Sequence, residues 1–231
     1  MKSTTWAGAP SGMVAAILAL GGIGPPVPAA AQPTSTPVAA PGDAQRGAAR
    51  TEELYCGACH GPRGTSETPE WPSLAGQVAA YLANQLALLR SGERPNLEMG
   101  PIAATLTDAD IADLSAYYST LSPPQSSPPS MDGGPIAALY RSGDASRSIR
   151  ACADCHGVTG GGDGRTLTPA LRAQQPVYVR TQLEAYSRRS RYKSATPPGT
   201  DPAALQAMYD AAARLTADEM QQIALYLRGL N

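Results

Sequence analysis

Cys56-Gly57-Ala58-Cys59-His60 and Cys152-Ala153-Asp154-Cys155-His156 are two copies of one five-residue pattern, and together they use all four cysteines and both histidines of the 231-residue chain. Two thiols three residues apart on one helical turn can each add to a vinyl group of the same porphyrin, and the adjacent imidazole is then presented to the iron. The same spacing has other readings: a disulfide within each pair, a thioredoxin-like redox site, or zinc held by cysteine and histidine. None of them explains the histidine twice. Zinc would have three ligands per site, and a redox motif needs a strand-helix context that the flanking residues lack. The pattern predicts two covalently attached haem c groups, one held by Cys56, Cys59 and His60, the other by Cys152, Cys155 and His156.

Outward from the motif the two halves continue to match. Pro72, Leu74, Gln77, Tyr81, Gln85 and Leu86 fall on Pro169, Leu171, Gln174, Tyr178, Gln182 and Leu183, each 97 positions on. Thr107, Leu114, Tyr117 and Leu121 fall on Thr216, Ile223, Tyr226 and Leu230 at 109 positions, so the second copy carries 12 extra residues before its last helix. Apolar residues recur at helical spacing over 78–90 and 176–190, the first run ending at Gly92. The last helices, 108–121 and 217–229, open with Thr107…Asp110 and Thr216…Glu219, a capping signature. Tyr117 and Tyr226 lie on their apolar faces as core residues. No strand pattern is found, and the expected class is all-α.

With both histidines spent, the second axial ligand of each iron has to be another donor, and methionine suits a low-spin haem of raised potential. Met1 and Met13 precede the mature chain, Met131 lies in a Pro/Ser-rich tract, and Met220 falls on the core position Ile111. Met99 and Met208 remain, each eight residues before the capping threonine, in what reads as a loop in both copies.

Composition fits this picture. The chain is 42% hydrophobic but has no Phe and only 5% aromatic residues, thin for two cores unless a flat apolar cofactor fills each. Residues 1–31 read as a secretory signal, with Lys2, an apolar run over 13–23 and small residues at Ala29-Ala30-Ala31, which sends the mature chain to the periplasm. Residues 32–41 and 122–131 are Pro-rich linkers around a first domain at 42–121 and a second at 132–231. The first domain has 5 basic and 10 acidic residues and the second 12 and 9, so the molecule is dipolar. The insertion carries much of the basic end, as Arg188, Arg189, Arg191 and Lys193, either a docking surface for a redox partner or an ordinary solvated loop. Nucleic-acid binding has no support in so short a run on an exported chain. Gly160-Gly161-Gly162-Asp163-Gly164 reads as a flexible loop, since no Lys-Ser or Lys-Thr follows to make a phosphate cradle.

The two motifs, with Trp71-Pro72-Ser73-Leu74-Ala75-Gly76, Glu98-Met99-Gly100-Pro101-Ile102-Ala103 and the run from Leu106 to Leu114, resemble the dihaem class I cytochromes of the cytochrome c4 type over nearly all of 42–231. The resemblance implies two tandem class I cytochrome c domains, each a few helices wrapped around one covalently bound haem and packed face to face. It also implies that the carbonyls of Pro72 and Pro169 accept a hydrogen bond from the histidine ring and fix it. The partners it implies are a quinol-cytochrome c oxidoreductase as electron donor and a terminal oxidase or reductase as acceptor. The expected function is electron transfer rather than enzymatic turnover, since a peroxidase or a gas sensor needs an open iron. An electron-transfer subunit of a dehydrogenase acting on sulfide, thiosulfate or an alcohol keeps the same chemistry and changes only the partner.

Overall fold

Asp43 begins the first helix by accepting from the main-chain N–H groups of Gln45 and Arg46, at 2.8 and 2.9 Å, two donors that a helix start leaves unpaired. The computed structural model describes residues 41–125 and 134–230; the signal segment, residues 32–40 and positions 126–133 with Met131 lie outside the described residues. In chain order the helices are α1 (Ala44–Glu53), α2 (Gly57–His60), α3 (Ala79–Arg90), α4 (Met99–Ala103) and α5 (Asp108–Thr120), then α6 (Pro135–Ser142), α7 (Ala153–His156), α8 (Pro176–Ser187), α9 (Pro202–Arg214) and α10 (Ala217–Arg228). The class is all-α: among the described residues the only β pairings are two isolated bridges, Asp144 with Ile149 and Asp163 with Thr168.

In the first domain α1 lies across α5, and two glycines let it come close. A Cβ on Gly47 would stand 2.1 Å from the Asp113 carbonyl oxygen, and one on Gly42 would stand 2.0 Å from that of Ala112. Arg46 then grips the Asp113 carboxylate through two hydrogen bonds of 2.7 and 2.8 Å, and Arg50 reaches Asp110 at 2.7 Å. The second domain meets the same need with bulk, since α6 and α10 pack through Tyr140 and Tyr226, rings 5.4 Å apart and both fully buried. Here Arg147 takes the place of Arg50 and bonds Glu219 at 2.7 Å. Gly47→Ala is expected to destabilise the holoprotein by about 1 to 3 kcal/mol through overpacking, read by denaturant unfolding. Gly161→Ala, whose Cβ would meet nothing nearer than 3.7 Å, is expected to cost far less.

Both last helices carry the full capping box. Thr107 accepts from Asp110 N–H at 3.0 Å while Asp110 accepts from Thr107 N–H at 2.8 Å, and Thr216 and Glu219 do the same at 3.1 and 2.8 Å. Each box is worth about 1 kcal/mol. Three expectations about local structure are corrected. Neither methionine is in a loop: Met99 opens α4, and Met208 lies in the middle of α9, a helix started by Asp201 and Pro202 and built on alanines, the best helix formers. The 160–164 glycine run is a built turn: Gly160 and Gly162 sit at φ 65° and 74°, and the Gly160 carbonyl accepts from Leu171 at 2.7 Å, which braces the Pro169 segment. Tyr226 is fully buried as expected, whereas Tyr117 is half-buried over α1 and its neighbour Tyr118 faces the interior instead.

The basic run needs a larger correction. The spacing of 97 persists through Arg94 and Arg191, so Arg188 to Arg191 precede the insertion, and Arg191 is neither a docking residue nor solvated but 4% exposed. Arg188 pairs with Glu184 at 3.5 Å, and Arg189 lies over the Tyr209 ring at 4.6 Å. The insertion itself closes on the first domain: Lys193 N–H donates to the Glu93 carbonyl at 2.9 Å, Ser194 bonds the Glu93 carboxylate, and Tyr192, Leu205 and Tyr209 bury Leu88.

Candidate functional site

Each Cys-x-x-Cys-His stretch forms a single helical turn, closed by His60 N–H to the Cys56 carbonyl at 3.0 Å and His156 N–H to the Cys152 carbonyl at 2.9 Å. Glycine follows each histidine at φ 75° and 78°, a left-handed conformation that stops the turn at once and leaves the ring facing inward. Both rings are buried, 7% and 6% exposed. His60 Nδ1 lies 2.8 Å from the Pro72 carbonyl and His156 Nδ1 3.0 Å from that of Pro169. A carbonyl only accepts, so Nδ1 carries the proton and Nε2 is left with its lone pair toward the cavity. Burial pushes both imidazoles below their usual range, which favours the neutral form a metal requires.

The cysteines are unpaired thiols. Burial pushes the Cys152 thiol up to about 11 and raises Cys56 as well, so neither is poised as the thiolate that a thioredoxin-like reaction uses. Met99 and Met208 line the same cavity as the histidines. Asn96 Oδ1 accepts from Met99 N–H at 2.5 Å, and Trp71 Nε1 donates to Glu98 Oε2 at 3.1 Å, which ties the Met99 segment to the Pro72 segment. Met208 is presented by the inner side of α9. All eight cysteines, histidines and methionines singled out from the sequence line one continuous cavity of about 580 Å³, walled by leucines such as Leu82, Leu89 and Leu114 in the first domain and Leu171, Leu183 and Leu227 in the second.

Between the two halves of the cavity sit residues that the sequence had not assigned to the site. Arg191, from the second domain, donates to Tyr81 Oη at 2.9 Å and Gln85 Oε1 at 3.2 Å in the first. Its repeat mate Arg94, from the first, donates to Tyr178 Oη at 3.3 Å and Gln182 Oε1 at 3.4 Å in the second. Burial pushes the Tyr81 phenol up to about 12, so it stays neutral. Every acceptor these guanidiniums find is a phenol or an amide, and Arg191 Nη1 has no partner although fully buried. A buried cation without an anion costs several kcal/mol, so the site lacks a negative group there. A porphyrin's acid side chains fit that place, as its ring fits the apolar cavity and its vinyl groups fit the paired thiols. Extending the same 97-residue register by eight positions past Leu86 would have found this pair.

Comparison with known proteins shows the family of the chain. The family model for cytochrome c matches residues 44–122 and 143–231. Cytochrome c4 of Thiocapsa roseopersicina is 38% identical over 193 residues, covering 82% of this chain and 94% of that protein. The crystal structure of reduced recombinant cytochrome c4 from Pseudomonas stutzeri superposes with a TM-score of 0.73 at 30% identity, covering 82% of this chain and 100% of that one. A thiosulfate dehydrogenase electron acceptor of Thiomonas intermedia is 36% identical, covering 78% of this chain and 80% of that protein.

Proposed function

Given that this chain belongs to the cytochrome c family, as a two-domain electron-transfer protein of the cytochrome c4 type with two covalently attached haem c groups, we propose that it carries single electrons in the periplasm between respiratory redox proteins. A quinol-cytochrome c oxidoreductase is its donor and a terminal oxidase or reductase its acceptor. The observation that carries the reading is the repeated geometry: a buried, oriented histidine beside two thiols, with a methionine on the same cavity, in each half.

The bound haems supply a one-electron iron couple. Cys56 and Cys59 would hold the first as thioethers, with His60 and Met99 as the protein ligands of its iron; Cys152, Cys155, His156 and Met208 would do the same in the second. Two protein ligands per iron would leave no open position, and methionine ligation would raise the potential. Pro72 and Pro169 keep each imidazole in one tautomer and one orientation, so little rearranges when the charge at the site changes. The leucine walls keep water from the site, while Arg94 and Arg191 would supply positive charge to the acid groups of the haems. The domains run over 42–121 and 132–231, and the signal over 1–31 brings the chain to the periplasm, which cell fractionation tests. Among the described residues no helix is long and apolar enough to cross a membrane.

Absorption spectroscopy with redox titration tests the carrier reading. Two low-spin haems with raised potentials, a far-red methionine-to-iron band and no carbon monoxide binding are expected; a high-spin haem that turns over peroxide overturns it. Met99→Ala and Met208→Ala are each expected to remove about half of the far-red band, since each supplies one of two equal contributions. A band left intact in either variant ends that ligand assignment.

The similarity to a thiosulfate dehydrogenase electron acceptor favours a second reading, in which the donor is a periplasmic dehydrogenase. Rapid reduction by such an enzyme with thiosulfate, but not by a quinol-cytochrome c oxidoreductase, selects that reading over the first.

A further inference from the structure

We propose that Gln77 and Gln174 are positioning residues that act across the domain boundary, each tuning the haem held by the other domain. In a peptide unit the carbonyl of one residue and the N–H of the next are joined by resonance, so what one end bonds alters the other. The Pro72 carbonyl accepts from His60 Nδ1 at 2.8 Å, and the N–H of that same peptide, on Ser73, donates to Gln174 Oε1 at 2.8 Å. Gln174 Nε2 returns a bond to the Ser73 carbonyl at 3.0 Å. The mirror arrangement is complete: the Pro169 carbonyl accepts from His156 Nδ1 at 3.0 Å, Ala170 N–H donates to Gln77 Oε1 at 2.7 Å, and Gln77 Nε2 donates to the Ala170 carbonyl at 2.9 Å. Gln77 and Gln174 are repeat mates, as are Ser73 and Ala170, so the two chains of bonds cross at a local twofold.

Nothing in the pairing is loose. Both glutamines are buried, 8% and 7% exposed, and each Oε1 also accepts from the next main-chain N–H, Val78 at 2.9 Å and Gln175 at 3.0 Å, which fixes the amide at the start of α3 or α8. Hydrogen bonds in series polarise one another, more so in a medium of low dielectric constant. By accepting from Ser73, Gln174 makes the Pro72 carbonyl a stronger acceptor, which draws on the Nδ1–H bond of His60 and leaves more electron density at Nε2. A more basic ligand favours the oxidised iron. Each glutamine therefore lowers the potential of the opposite haem, and a shift of either domain against the other is felt at both.

The inference rests on His60 and His156 being axial ligands, and a redox titration that follows the two haems separately by proton NMR tests both. The wild type is expected to show two low-spin, histidine-ligated haems; if it does not, the ligand assignment fails and the relay with it. Gln174→Met, similar in length and without the amide, is expected to raise the potential of the first-domain haem so that its reduced-to-oxidised ratio at fixed potential rises about two- to threefold, or about 20 to 30 mV at 59 mV per tenfold. Gln77→Met is expected to do the same to the second-domain haem. A shift at the variant's own domain, an equal shift at both haems, or none with the wild type as expected, overturns the proposal. Should Gln174→Met fail to fold, Gln174→Glu carries the test, because it keeps an oxygen acceptor for Ser73 N–H. It is expected to hold the first-domain haem at or below its wild-type potential, and a rise overturns the relay.

Discussion

A protein carrying Cys56→Ser and Cys59→Ser is expected to be isolated with one covalent haem per chain instead of two and with its first domain unfolded. The buried apolar cluster that this domain makes by itself is Leu106, Ile111 and Leu114, with partly buried Leu54, Ala83, Leu86 and Ala87 against it. Leu106 and Leu114 of that cluster, like the buried Leu82, Leu89 and Tyr118, line the cavity, so their packing is complete only when it is filled. At about 24 cal/mol per Å³, leaving half of the 580 Å³ cavity empty costs about 7 kcal/mol, comparable with the whole stability of a small domain. The reciprocal Cys152→Ser, Cys155→Ser protein is expected to lose less structure, because α6, α8 and α10 still bury a cluster that includes Tyr140, Tyr226, Leu227 and Ile149. Haem per polypeptide by mass spectrometry and helical content by far-ultraviolet circular dichroism separate these outcomes. Native helicity in the first variant would mean that the protein alone makes that core.

What could be read from residue order was whatever is local or repeats. The Cys-x-x-Cys-His turns, the capping boxes at Thr107 and Thr216 and the apolar stripes of α3, α5, α8 and α10 are set by neighbours within a few positions. Equivalence of Met99 and Met208 followed from the duplication, although the secondary structure around Met208 did not: α9 went unread even though Leu205, Tyr209 and Ala212 recur at helical spacing on its buried side. α1 owes its place to Gly42 and Gly47, and an absent side chain signals nothing until the helix it must approach is known.

The contacts between the two domains were hidden for a different reason. Arg191 stands in a run with Arg188 and Arg189, and a cluster of charges on one segment looks solvated because composition carries no trace of a surface 110 residues earlier that will cover it. Tyr81, Gln85 and their mates Tyr178 and Gln182 were visible as repeated positions on helix faces. That each set serves the arginine of the other copy is a property of the packed pair alone. The glutamines show the same thing: Gln77 and Gln174 are repeated for partners found only in the opposite domain.

Arg191→Leu is expected to destabilise the holoprotein by about 3 to 5 kcal/mol, and the sign of this effect is the informative part. If a buried charge has no counter-ion, replacing it with an apolar residue of similar volume removes a desolvation penalty and is neutral or stabilising. If acid groups of the bound haems face Arg191, as its unpartnered Nη1 and its carboxylate-free ring of Tyr81, Tyr192 and Gln85 indicate, the same replacement strands a buried anion. The loss should then appear in denaturant unfolding, together with faster cleavage between the domains by protease. Taking a positive charge away from the centre also favours the oxidised iron, so at least one potential should fall. Arg94→Leu is expected to follow the same direction with a smaller effect, because Arg94 is only half-buried and water can serve in its place. Arg188→Ala, whose exposed side chain pairs with Glu184 at 3.5 Å, is expected to change stability by less than about 1 kcal/mol. An Arg191→Leu protein as stable as the wild type, with unchanged potentials, would mean that no anion of the bound haems is neutralised there.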